Sequence, residues 1–464
     1  MASVVRASGS APPIETHAPL ATRIARAASA FNTGDLSPAL IAKVKTCLMD
    51  LIGCAAESQH LPWSRQAVAI AERSASGGAS IIGADFAATV GDAAFANAVM
   101  GHGLVREDMH SGSISHLGIV VLPALLSLAQ WRRVSGRLFI TAAVVGYETG
   151  GRVGRAAMDA DIARIHRPTG ISGPIGAAAA GAKLLGLGVE ASTSAIALGA
   201  NTTLGFNQWA HTGGSEMFFQ AGFAARNAVG AARLAEQGAF ASPSALDGEA
   251  GLFASLRKRQ AAADVELFRG TPEIITVYHK PVPACNFAQT PAQAALRIAR
   301  ETKISPERIA AIRVRVSRAG AMYPGCDSSG PFAHILQAKM SIQYNVAAAL
   351  IEGGVTEKNF ALLSDARLQR LIGLTTLSID DAITQAYPGK QGGEVEVTDT
   401  AGTTHRARLD DVVNASADDV RARFRAATEQ VMGASRACEI ENFIDTLEHA
   451  DDAGQLGALL RVVK

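Results

Sequence analysis

GPIGAAAAGAKLLG, residues 173–186, decides between two folds. Its glycines, Gly173, Gly176, Gly181 and Gly186, suit either a phosphate-cradling loop or the contact stripe of a tightly packed helix. A phosphate loop follows a strand and opens a helix. Here both flanks carry helical patterning and no strand leads in, so the glycines read as positions where helix backbones approach closely. Composition agrees: aromatics are only 5% of the chain while glycine alone numbers 45, which favours helices packed through small residues.

Working towards the N-terminus, the same texture continues. Helical patterns cover Phe139–Ala156, Gly118–Trp131 and Ala93–Met100. The first clear helix opens at Ser37-Pro38, an N-cap followed by proline in the first turn. Its apolar positions Leu40, Ile41, Val44, Cys47, Leu48, Leu51 and Ile52 recur at helical spacing, and Cys47 and Cys54 share its buried face. Residues 1–18 read as a loose tail, having one arginine and no apolar run of the kind a signal peptide needs. Towards the C-terminus Ala221–Glu236 is helical, and no alternating strand of useful length occurs before about residue 270.

After Arg269 the pattern changes. EIITVY (273–278) looks extended, IRVRV (312–316) alternates strictly, and EVEV (394–397) followed by DTAG and THRARL reads as a hairpin. Helical segments at 285–301 and 337–352 separate these strands. From Ser416, SADD caps a helix reaching Met432, and Glu439–His449 follows. The expected fold is mainly α with an α+β part: a helical domain over 1–268, an α/β domain over 269–412, and C-terminal helices over 413–464 returning to the first.

With 43 basic and 42 acidic side chains, the chain lacks the cationic excess that displaces counterions from nucleic acid. Its longest apolar run, Ile119–Leu126, is eight residues, too short for a membrane span. The scattered, odd-numbered cysteines (Cys47, Cys54, Cys285, Cys326, Cys438) exclude a disulfide framework and fit a reducing, cytoplasmic setting.

Three stretches stand out as able to carry chemistry, and a fourth offers a tyrosine. GHGLVREDMHSGSISHLG (101–118) places His102, Glu107, Asp108, His110 and His116 together. A metal site, scattered acid–base roles and a solvated polar loop all remain open, although the spacings match no zinc motif. RIHRPTG (164–170) sets His166 and Arg167 before a helix N-terminus capped by Thr169, where backbone N–H groups favour an anion. A structural histidine and a surface arginine are the plain alternatives. HKPVPAC (279–285) stiffens a loop around Lys280 with two prolines, which invites a fixed role, though a surface lysine is the default. In KMSIQYNVAAALIEGG (339–354), Tyr344 starts a helix and is either a buried tyrosine with its hydroxyl satisfied or a proton donor. Walker, Rossmann, nucleophile-elbow and H-E-x-x-H signatures do not occur.

Taken in order, seven stretches resemble the MmgE/PrpD family, which includes 2-methylcitrate dehydratase, cis-aconitate decarboxylase and iminodisuccinate epimerase. They are VGDAAFANAVMGHGL (90–104), SHLGIVVLPALLSLAQ (115–130), IHRPTGISGPIGAAAAGAKLLGLG (165–188), AGFAARNAVGAARLAEQGAF (221–240), LDGEAGLFASL (246–256), HKPVPAC (279–285) and SIQYNVAAALIEGGVT (341–356). The resemblance implies a helical domain with an inserted α/β domain, a homodimer, a site between the domains, and no metal or organic cofactor. It carries catalytic roles onto His116, His166, Lys280 and Tyr344. His102, Asp108, His110, Arg167, Thr169, Cys285 and Met217 are the accompanying substrate-binding candidates.

Departures from the family pattern bear on the substrate. VREDM (Val105 to Met109) stands where many relatives read D-F-D-D-T, and Met217 stands where a family lysine precedes the AGFAA segment. Leu117 and Arg167 each replace a usual proline. The expected activity is a cofactor-independent lyase, dehydratase or decarboxylase in type, using histidine to remove a proton beside a carboxylate. An epimerase of a substituted dicarboxylate is the alternative, and a lapsed ligand-binding relative the third reading. Arg167 is expected to point into the cleft near His166 and Lys280, replacing the lost cation.

Overall fold

A computed structural model describes residues 18–74, 77–203 and 205–462. Apart from Ala18, the tail expected at 1–18 lies outside them.

The glycine-rich stretch is the middle of one long helix, Pro168–Leu184, with Pro168 in its first turn. It lies against the Gly136–Ala157 helix, and the reason is Gly176. A Cβ there would stand 2.5 Å from the Gly146 carbonyl oxygen and 3.0 Å from the Gly150 Cα. Any side chain would force the two backbones apart, so the stripe serves packing. Helices Val90–His102, Gly118–Trp131 and Glu216–Glu236 complete this layer.

The strands expected at 312–316 and 394–409 belong to a four-stranded mixed sheet. Ile309–Val316 pairs antiparallel with Gly393–Asp399, which pairs antiparallel with Thr404–Leu409. Ile312 lies opposite Val397, and Val314 opposite Val395, which itself faces Ala407; these residues form the buried face. On the other face Arg313 donates to Glu396 at 2.8 Å, and Glu394 accepts from Arg315 and Arg406. This is the period-2 division that the alternating sequence encodes. A fourth strand, Thr375–Ile379, runs parallel to Ile309–Val316 and was not legible in its mixed polarity. Helix Gln289–Thr302 covers the apolar face, and Ile342–Glu352 packs behind it.

One expected strand is a correction. Glu273–Thr276 forms a single helical turn rather than extended chain. Pro272 opens the turn, and the Glu273 backbone N–H donates to Glu148 Oε2 at 2.7 Å. Only Tyr278 pairs, as a lone bridge with Met109. Helices Leu20–Ala30 and Val189–Asn201 add to the expected set, and the last long helix starts at Ala434 rather than Glu439.

The Ala417–Met432 helix has the expected cap, with Ser416 accepting from the Asp419 N–H and Asp419 reaching back to Ser416. It packs on Pro38–Glu57, and its Arg423 reaches both Asp50 (2.7 Å) and the Lys280 carbonyl (2.8 Å). Among the described residues, no helix is long and apolar enough to cross a membrane.

Candidate active site

The polar stretch after His102 is not a solvated loop. Every residue from His102 to His110 is buried, so its backbone groups need partners inside the protein. They find them in reciprocal pairs. His110 and Ser115 exchange N–H···O bonds at 2.9 and 3.2 Å, and Met109 and Tyr278 at 2.8 and 3.0 Å. The second pair ties the loop to the segment carrying His279 and Lys280. His279 is itself fixed: its Nε2 accepts from Lys43 Nζ at 3.2 Å, so its Nδ1–H donates to Asp50 at 2.7 Å.

Within this frame one carboxylate oxygen serves two imidazoles. His102 Nδ1 lies 2.5 Å and His116 Nδ1 2.7 Å from Glu107 Oε1. Arg167 Nη2 lies 2.8 Å from the other His102 nitrogen, Nε2. A guanidinium only donates, so His102 Nε2 accepts and its proton sits on Nδ1, facing Glu107. His116 Nδ1 also faces the Asp108 carbonyl oxygen at 3.1 Å, so it too carries its proton there. The His116 Nε2 lone pair is left for the cavity. Thr169 holds this residue from behind, its hydroxyl accepting the His116 N–H at 3.0 Å. That placement corrects the expected cap, because the Pro168–Leu184 helix has Arg167 at its N-cap position and no side-chain cap bond.

Burial sets the charge states. His116 is pushed down to about 3 by burial, with Lys280 and His102 adding to the effect against Glu107. Burial lowers His102 as well, with Arg167 contributing. Both imidazoles are therefore neutral at rest. Burial acts to raise Glu107, but its interactions with His102 and His116, whose Nδ1–H groups it accepts, outweigh burial and hold the carboxyl well below its usual range. Lys280 is fully buried and brought down to about 8, chiefly by burial, with Lys339 and Arg167 acting in the same direction.

The cavity beside His116 holds about 20 Å³, roughly the room of one water. Its polar lining is His116, Arg167, Cys285, Asn286 and Tyr323. The rest of the lining is apolar: Val105, Met109, Ile114, Trp209, Met217, Phe287 and Met340. Val105 and Ile114 hold φ of 58° and 53°, a left-handed conformation that β-branched residues rarely adopt, so the wall stores backbone strain.

The other expected residues fall in different places. Arg167 enters the cavity wall, 5% exposed and with its Nε buried and unpartnered, while neighbouring His166 turns away to lie 5.9 Å from the Phe206 ring. Both residues are extended, and successive side chains of an extended chain point to opposite sides, so only one of them can face the cavity. The expectation of Arg167 beside His166 is corrected to Arg167 beside His102. Lys280 lies one layer behind the wall, its Nζ donating to the Val105 carbonyl. Tyr344 is outside the cavity: its hydroxyl donates to the Asn359 carbonyl at 2.9 Å, between the Phe332 and Phe360 rings.

His110 is a clamp rather than a cavity residue. Its Nδ1 accepts from the Ser113 N–H at 3.1 Å, and its Nε2–H donates to Glu273 at 2.6 Å. The Asp108 carboxyl is turned into the core beside Tyr147, where burial raises it to about 7. A Cβ on Gly118 would stand 2.3 Å from both groups, so this buried acid requires the glycine. Cys285 does line the cavity, its Sγ 3.5 Å from that of Cys326. Burial opposes ionisation of Cys285, but the Cys326 thiol and Lys280 bring it below the usual thiol range.

His102, Glu107 and His116 also bring one potential ligand atom each within 4.8 Å of the others. This donor set does not fit a metal ion. Both Nδ1 protons point at the same carboxylate oxygen, His102 Nε2 is occupied by Arg167, and Lys280 adds a second cation close by. The trio is built as a hydrogen-bond relay.

The description of the MmgE/PrpD N-terminal domain matches residues 22–263, and that of the MmgE/PrpD C-terminal domain matches residues 282–449. The chain belongs to the MmgE/PrpD family. Its mainly helical fold with an α+β part is that of this family. Similar MmgE/PrpD proteins include the cis-aconitate decarboxylase-like protein oryM of Aspergillus oryzae, 30% identical over 466 residues, covering 93% of this chain and 95% of that one. A cis-aconitate decarboxylase of Aspergillus terreus is 24% identical over 93% of this chain and 94% of its own. The human cis-aconitate decarboxylase is 25% identical over 80% and 79%.

Several residues of this MmgE/PrpD site did not stand out in the sequence. Glu107 was one of five polar residues in a loop, with no spacing to mark it as the shared acceptor. Tyr323, beside Arg167 in the cavity, follows a short helix with no motif. Lys339 is fully buried, donating to the Leu104 and Pro283 carbonyls (3.1 and 2.9 Å) and to Glu357 at 2.6 Å. It pins the two cavity-forming segments together. Its only sequence signal was a lysine inside an apolar helix.

Proposed function

We propose that this chain is a lyase acting on a small carboxylic acid, with His116 as the group that moves the proton. The observation that carries this is the Glu107–His116 pair: a neutral imidazole with Nδ1–H on a buried carboxylate and Nε2 open to a cavity. Such a pair takes up a proton at Nε2 because Glu107 stabilises the imidazolium that results. Arg167, with a buried unpartnered Nε, supplies the fork for a substrate carboxylate. An arriving carboxylate also raises the basicity of His116, which burial holds low in the free protein.

In elimination, His116 Nε2 takes a C–H proton beside the held carboxylate. The electron pair spreads into that carboxylate and then forms the C=C bond as a β-hydroxyl leaves, taking the proton from the His116 imidazolium to depart as water. In decarboxylation the electron pair of the broken C–CO2 bond spreads into the held carboxylate, and His116, having first taken up a solvent proton at Nε2, delivers it to carbon. Both use one proton carrier and one anion clamp, and decarboxylation agrees with the names of the similar proteins. The placement of His166 outside the cavity favours a lyase over an epimerase, since it removes the second histidine for opposed proton transfers. The homodimer implied by the resemblance is part of the same proposal.

The test is a panel of hydroxylated and unsaturated di- and tricarboxylates, following CO2 release and double-bond absorbance. Consumption of at least one acid, lost in His116→Asn, is expected. No consumption across the panel by folded protein would overturn the reading.

A further inference from the structure

We propose that Cys285 and Cys326 form a redox-active dithiol at the candidate site, which a hydroperoxide entering the cavity closes to a disulfide. This goes beyond the lyase reading, and neither the assignment nor its test depends on turnover.

The backbone brings the two thiols together. Their sulfurs lie 3.5 Å apart although 41 positions separate them in the chain. The Cys285 N–H donates to the Lys339 carbonyl, and the Cys326 carbonyl accepts the Ile342 N–H, each at 2.9 Å. Both cysteines are thus fixed to one short stretch, 339–342. A disulfide holds its sulfurs at about 2.0 Å, so these must close by about 1.5 Å. Cys47 and Cys54 lack this relation, because seven residues of one helix separate them by about 10 Å of rise.

The two thiols differ in access and in charge. Cys285 lines the cavity, whereas Cys326 is fully buried and does not. Hydrogen peroxide is uncharged and only one oxygen larger than water, so a cavity of about 20 Å³ takes it up with little widening. Burial opposes ionisation of Cys285, but the Cys326 thiol, Lys280 and Arg167 bring it below the usual thiol range. Burial pushes Cys47, Cys54 and Cys326 up instead. Cys285 is therefore the attacking sulfur and Cys326 the resolving one.

In the first step the Cys285 thiolate attacks one peroxide oxygen and the O–O bond breaks. Cys285 becomes a sulfenic acid, and the hydroxide released takes up the proton Cys285 had lost, forming water. The Cys326 sulfur then attacks the Cys285 sulfur. The S–O bond breaks as the S–S bond forms, and the hydroxyl leaves with the Cys326 proton as a second water. Two thiols are oxidised by two electrons and one peroxide is reduced to two waters. The closed bond ties the Cys285–Phe287 part of the lining to the turn that follows Tyr323, also a lining residue. A dithiol reopens it by exchange.

The test is treatment of the full chain, as Cys438→Ser to remove the exposed thiol, with hydrogen peroxide. Free thiols are then alkylated under denaturing conditions and mapped by mass spectrometry. The expected product has lost the mass of two hydrogens, carries a Cys285–Cys326 cross-linked peptide, keeps Cys47 and Cys54 free, and returns to the starting mass with dithiothreitol. Cys285 is expected to lose its thiol at least about tenfold faster than Cys47 or Cys54. In Cys326→Ala the reaction should stop at a Cys285 sulfenic acid, trapped by dimedone. If that variant does not fold, the cross-link map stands as the test. Cys285 outlasting Cys47 or Cys54, Cys285 oxidised without a bond to Cys326, or buried thiols that all survive peroxide would overturn the inference.

Discussion

Replacing Glu107 with glutamine removes one charge from the centre of the relay while keeping its shape. In the wild type, Oε1 accepts from His102 and His116 at 2.5 and 2.7 Å, and Oε2 is buried without a partner. When His116 gains a proton, the new imidazolium charge lies about 4 Å from the carboxylate, where an effective dielectric near 20 gives about 4 kcal/mol of attraction. The glutamine oxygen can still accept a hydrogen bond, which returns about 1 kcal/mol. The remaining loss of about 3 kcal/mol falls on the protonated state and predicts a kcat lower by about two orders of magnitude. KM should change little, since Glu107 does not line the cavity. Steady-state kinetics on an acid turned over by the wild type is the assay, with thermal melting to show that the variant folds. A Glu107→Gln variant with kcat within threefold of wild type would refute the relay.

Other consequences follow from the same geometry. Arg167→Ala should raise KM at least tenfold, the equivalent of about 1.4 kcal/mol, and should also free His102 Nε2, visible as a shifted imidazole resonance. Activity should fall as pH rises through about 8, because buried Lys280 then loses the charge that faces Glu107; a profile flat to pH 10 would contradict this. His116 lies below its unfolded value of 6.5, so the unfolded chain binds the extra proton first. Its contribution to stability should shrink as pH falls from 6.5 towards 3, read by denaturant titration. Tyr344→Phe should cost about 1 kcal/mol of stability through the lost bond to Asn359 and leave kcat within threefold. A hundredfold drop in kcat would return Tyr344 to the site.

The fold was legible where burial imposes a period. Leu40, Val44, Cys47, Leu48 and Leu51 of the Pro38–Glu57 helix are buried at helical spacing, and Ile312, Val314 and Val316 of the Ile309–Val316 strand at every second residue, so both could be read directly. EIITVY failed because its β-branched residues favour extension, while a tertiary contact from Glu148 to the Glu273 N–H imposes a helical turn. In the site, His116 and Arg167 could be singled out by residue type and by position before a helix. What each side chain touches could not. Whether His166 or Arg167 faces the cavity depends on the phase of an extended pair, and Glu107 acquires its role only when the loop folds back to bring His116 beside His102. Tyr344 illustrates the reverse: a motif tyrosine whose hydroxyl is spent on a backbone carbonyl fifteen residues away.

The most direct test of His116 as the proton carrier is turnover in deuterated water, comparing wild type with His116→Asn on the same acid. The wild type is expected to carry solvent deuterium into the carbon that exchanges its proton, in product or in recovered substrate. The variant should lose both exchange and turnover by about 10²–10⁴-fold, the usual contribution of a positioned acid–base group. A folded His116→Asn protein that exchanges and turns over within tenfold of wild type would contradict the account.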